Sequence, residues 1–74
     1  MFYIQSPQKK EFFVELLDGN TFEEVTFKFI KIEGMKIFFE FEGNVDVAQA
    51  IAVAKAAIRK EPLGSVLYYM LQAV

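Results

Sequence analysis

The side chains that could do chemistry are few. The chain has no histidine and no cysteine, and its only serines are Ser6 and Ser65. Ser-His and Cys-His catalysis need an imidazole, and zinc sites draw on thiolate and imidazole ligands, so both chemistries lack their parts. The four glycines are scattered singly, which leaves no glycine-rich loop to cradle a phosphate. A lysine or carboxylate could still act as nucleophile or base, but only in a shaped pocket, and 74 residues leave little volume for one. The expectation is a non-enzymatic protein with no catalytic residue, no metal and no cofactor.

The remaining constellation is acidic and aromatic. In the strand register derived below, Glu15, Glu24, Glu40 and Glu42 fall near one another on one sheet face, beside Phe13, Leu17, Phe38 and Phe22. Like charges directly opposite cost up to ~1 kcal/mol each. Such a group is either a site for a cation or a partner's Lys and Arg, or a solvated face that salt screens. The aromatics are the stronger clue, because an uncovered apolar patch commonly marks an interaction surface.

The elements that must position these residues follow from periodicity. Residues 11–17, EFFVELL, alternate Phe12, Val14 and Leu16 against Glu11, Phe13, Glu15 and Leu17, a period-2 strand. Asp18-Gly19-Asn20 is a turn signal, and Val25, Phe27 and Phe29 alternate after it, so a hairpin pairs Val14 with Val25, Phe12 with Phe27 and Glu11 with Lys28. A second turn at Glu33-Gly34 pairs Ile32 with Met35 and Ile30 with Ile37. Continued unbroken, that register would oppose Lys28 to Phe39. One extra residue at Phe29/Ile30 repairs it, setting Lys28 against Phe38, Phe27 against Phe39 and Val25 against Phe41, so a β-bulge is predicted there. Phe12, Phe27, Phe39 and Phe41 then form the core.

Residues 2–5, FYIQ, ended by Pro7, suggest a short edge strand. After Gly43 the period becomes helical. Asp46 with Gln49 resembles a capping box, Val47, Ile51, Ala54 and Ile58 share a face, and Pro62 and Gly64 close a helix over about 46–60. The last eleven residues, GSVLYYMLQAV, carry no charge. A surface helix usually carries charge on its outer face, whereas a strand flanked by neighbours and buried on both faces reads as a continuous apolar run. The prediction is a central strand over 65–73, with a second helix as the alternative. The expected fold is therefore α+β: a mostly antiparallel sheet of four or five strands with one helix on one face, in the order β-β-β-β-α-β, forming a single domain over residues 1–74.

Composition narrows the partners. Eight basic and ten acidic residues give a net charge of −2, so nothing draws nucleic acid or an anionic membrane, and aromatics interleaved with Glu would repel phosphates. The uncharged run from Pro62 to Val74 is too short to span a bilayer, and the N-terminus lacks the apolar stretch of a secretory signal, so a cytoplasmic location is expected. A chain this small buries only about 60% of its unfolded surface, and without disulfides or a metal its remaining aid to stability is oligomerisation. The functional expectation is an interaction module that self-associates as a homodimer or binds a protein partner through the aromatic face or an edge strand. The alternative is a binder of a small apolar ligand held between helix and sheet, with Tyr68 or Tyr69 as a polar handle.

Overall fold

The computed structural model describes residues 1–74. In chain order the elements are strand β1 (Phe2–Gln5), helix α1 (Lys10–Leu17), strands β2 (Thr21–Phe22), β3 (Val25–Glu33) and β4 (Lys36–Glu42), helix α2 (Val47–Arg59), a 3₁₀ turn at Leu63–Ser65, and strand β5 (Met70–Ala73). The strands form one antiparallel sheet in the order β2-β3-β4-β1-β5. Leaving out the two-residue β2, this is a β-α-β-β-α-β chain. It consists of two split β-α-β units: β1 runs parallel to β3 with β4 between them, and β4 runs parallel to β5 with β1 between them. The α+β class and the mainly antiparallel five-stranded sheet agree with expectation. The strand order and the number of helices do not.

The main correction is at residues 11–17, which are helical. Over so short a segment EFFVELL satisfies both periods, because Phe12, Phe13, Leu16 and Leu17 also make one helical stripe, with Glu11 and Glu15 opposite it. The helix buries Phe13 and Leu17 completely, one turn apart, and Glu11 in its first turn suits the helix dipole. Asp18-Gly19-Asn20 does turn the chain, but from a helix onto the outer edge of β3. Gly19 adopts a φ of +74°, the Gly19 amide donates to the Phe27 carbonyl at 2.8 Å, and the Phe27 amide donates to the Asn20 carbonyl at 3.0 Å.

The bulge falls where the pattern requires it, at Ile30, between the pairs Phe29–Phe39 and Lys31–Phe38. The register around it differs by one or two residues from expectation. The turn is Gly34-Met35 rather than Glu33-Gly34, so Glu33 pairs with Lys36 and Ile32 with Ile37. Beyond the bulge Lys28 faces Glu40, not Phe38, and Phe27 faces Phe41, not Phe39. Gly34 has a φ of +61° while Met35 does not have a positive φ, the combination of a type II′ hairpin turn, and this locates the turn after Glu33.

Helix α2 begins at its expected cap, the Asp46 Oδ1 accepting from the Gln49 amide at 2.9 Å. It buries Ala50, Ala54, Ala57 and Ile58. These small side chains let it lie close over the sheet. Both helices cover the same sheet face, where Phe13, Leu17, Ala54 and Ile58 join Phe2, Ile4, Val25, Phe27, Ile37 and Phe39 in one core cluster. Phe2 centres the aromatic packing, 5.8 Å from both Phe27 and Phe39. Phe12 and Phe41, expected in the core, are only half-buried at its margin.

Candidate interaction surfaces

The open sheet face is the layer the helices leave bare. Because side chains alternate, β1 turns Tyr3 and Gln5 outward, β4 turns Lys36, Phe38, Glu40 and Glu42, and β5 turns Met70 and Gln72. Phe38 is half-buried there, its ring 5.6 Å from that of Tyr3 and the Lys31 ammonium 5.3 Å from its centre. Lys36 lies 4.9 Å over Tyr3. Each ring thus carries a cation over it, a contact worth roughly 0.5–1 kcal/mol when exposed.

Of the residues expected to form an aromatic and acidic surface, only Phe38, Glu40 and Glu42 occupy this face. Phe13 and Leu17 are fully buried, because the helical turn of α1 points them into the core. Glu15 sits on the exposed side of α1 in the other layer, and Glu24 lies in the β2–β3 turn. The four carboxylates do not converge. Glu40 stands opposite Lys28 and Glu42 opposite Thr26, and no group of three or more acidic residues could hold a metal ion.

An open cleft lies between α1 and β3. It has a volume of about 380 Å³ and is lined by Lys10, Glu11, Val14, Glu15, Phe29 and Ile32. Neither candidate tyrosine reaches it. Tyr69 packs against Phe13 at 5.6 Å, and Tyr68 is 81% exposed.

The two edges of the sheet differ in kind. On the β3 side, β2 pairs with Val25 and Thr26, the 18–20 loop bonds to Phe27, and the Asp18 Oδ1 accepts from the Phe29 amide at 2.9 Å. Beyond that stand the bulge at Ile30 and the Lys31–Glu33 ion pair at 2.8 Å. Capping, bulging and charge are the devices that keep an edge from pairing with another chain.

The β5 edge has none of them. The final segment is a strand only over Met70–Ala73 and lies at the edge, because β1 takes the central position expected for it. Its neighbours Val66, Tyr68 and Val74 are 76%, 81% and 72% exposed, and no charged residue follows Glu61. The free backbone groups can be identified. The Val74 amide donates to the Met1 carbonyl at 3.2 Å, and reciprocal bonding recurs at every second pair of an antiparallel ladder. Gln72 therefore bonds with Tyr3 and Met70 with Gln5, while the amides and carbonyls of Leu71 and Ala73 point away from the sheet. Leu71, Gln72, Ala73 and Tyr3 were not singled out by sequence reasoning. The signal for three of them was the uncharged run itself, read as burial although the strand lies at the edge of the sheet.

No helix of the structure is long and apolar enough to cross a membrane. Comparison of the chain with protein-family models, with curated proteins and with solved structures finds no match.

Proposed function

We propose that this protein is a non-enzymatic interaction module that works by strand addition at the β5 edge. The observation that supports this reading is the contrast between the edges: the β3 side is capped, bulged and charged, whereas β5 turns backbone groups outward within an uncharged segment that is exposed apart from the buried Leu71 and the half-buried Leu67 and Tyr69. Strand addition takes its affinity from main-chain hydrogen bonds and its selectivity from alternate side chains, and both are available at β5. The half-buried Tyr3–Phe38 pair adjoins this edge on the open face and extends the surface that a bound strand would touch.

A photo-crosslinking amino acid at position 72, compared with one at position 32 on the guarded edge, tests this reading in the cell. Capture of protein through position 72 well above position 32 is expected. Equal or no capture overturns the edge as the working surface.

The second reading, a small apolar ligand, rests on the cleft floored by Val14, Phe29 and Ile32. Saturable binding of an apolar fluorophore that Val14→Lys abolishes would favour it.

A further inference from the structure

Resting on the reading of β5 as a pairing edge, we infer that its partner is a second copy of this chain, joined antiparallel about a two-fold axis that passes beside Gln72. The outward groups of the strand select this register. Only Leu71 and Ala73 turn amide and carbonyl away from the sheet within Met70–Ala73. With the axis at Gln72, Leu71 lies opposite the partner's Ala73 and Ala73 opposite the partner's Leu71, and both pairs bond reciprocally. An axis at Leu71 makes one such pair within the strand and relies on Tyr69, which lies outside it, for more. An axis at Ala73 makes one such pair within the strand and none beyond it.

The side chains agree with this register. Gln72, Met70 and Val74 share the open face, so Gln72 meets the partner's Gln72 and Met70 meets the partner's Val74 in the closely spaced, non-hydrogen-bonded pairs. Met70 and Val74 are 46% and 72% exposed in the single chain and would cover one another. No like charges meet, because the strand has none. The product is a continuous ten-stranded sheet. Across it runs a row from Phe38 and Tyr3 through the two glutamines to the partner's Tyr3 and the partner's Phe38. A four-residue edge contributes little area, so the dimer should be reversible and of micromolar affinity.

The absence of native cysteine makes the test direct, since any disulfide formed by a single-cysteine variant joins two copies. Directly opposed non-hydrogen-bonded residues have Cα atoms about 4.5 Å apart, inside the range a disulfide spans. Under mild oxidation at ~100 µM, Gln72→Cys should crosslink at least tenfold faster than Ile32→Cys on the other edge. Adding Ala73→Pro, which removes an outward amide and no bond to β1, should cancel that advantage while leaving the circular-dichroism melt of the single chain in place. Sedimentation of the wild-type chain should show monomer–dimer exchange. A wild-type chain that stays monomeric at ~1 mM overturns the second copy as partner and leaves the edge to the crosslinking test above. A wild-type dimer in which Gln72→Cys is no faster than Ile32→Cys overturns the two-fold register.

Discussion

Replacing Phe13 by alanine tests whether α1 faces the sheet as described. Phe13 is fully buried, with Phe12 5.1 Å away and Tyr69 5.6 Å away. Deleting a core phenylalanine costs about 3–5 kcal/mol, the lost transfer energy plus the cavity left behind. A 74-residue domain has roughly 4–11 kcal/mol in hand at 0.05–0.15 kcal/mol per residue, so Phe13→Ala removes about a quarter of the stability or more. With a urea slope near 1 kcal/mol per molar, as for the smallest domains, the midpoint should fall by about 3–5 M or the chain should be unfolded without denaturant. Phe12→Ala, at a half-buried position, should cost about 1 kcal/mol and shift the midpoint by about 1 M. Urea titrations followed by far-ultraviolet circular dichroism measure both. A helix demands large losses at 13 and 17 and smaller ones at 12, 14 and 16. The reverse order would refute the helix and restore a strand.

Three further outcomes follow from the packing. A Cβ on Gly64 would lie 1.9 Å from the Ile58 carbonyl oxygen, a backbone atom that cannot swing aside, so Gly64→Ala should cost about 2 kcal/mol or more and lower the melting temperature by roughly 10 °C. The β2–β3 turn holds Glu23 and Glu24 at φ of 48° and 69°, a left-handed pair that costs L-residues roughly 1–2 kcal/mol each, so Glu23→Asn with Glu24→Gly should raise the urea midpoint. Phe38→Glu should cost only about 1 kcal/mol, since the position is half-exposed and opposite Lys31, whereas Phe39→Glu would bury an unpaired carboxylate and should unfold the chain; thermal melts of the two variants compare them.

What the sequence carried and what it hid have physical reasons. The segments of β3 and β4, the bulge and α2 were legible because each is long enough for its period to be unambiguous or carries its own punctuation, as Asp46 does for α2. Residues 11–17 were misread because seven residues make barely two helical turns, and the burial of Phe13 and Leu17 is decided by contacts with α2 and the sheet. That error moved two apolar residues from the core to the proposed surface. FYIQ was expected at an edge because it is short and ended by Pro7, and MLQA in the middle because its run is uncharged; the sheet places them the other way round. Phe38, Glu40 and Glu42 were placed correctly on the open face because strand alternation survives a shift of two residues. Their opposite partners were not, because opposition depends on the turn, and Gly34 fixed it one residue later than Glu33-Gly34 implies.

Amide hydrogen exchange read at two protein concentrations reports whether β5 is a pairing edge. In the single chain the Gln72 amide is bonded to β1 while those of Leu71 and Ala73 point away from it. Leu71 and Ala73 should exchange rapidly at ~1 µM and slow together by several-fold at ~1 mM, with Gln72 protected at both. Exchange at Leu71 and Ala73 that is already slow at ~1 µM would contradict the free edge, and exchange that stays fast at ~1 mM would contradict self-pairing there.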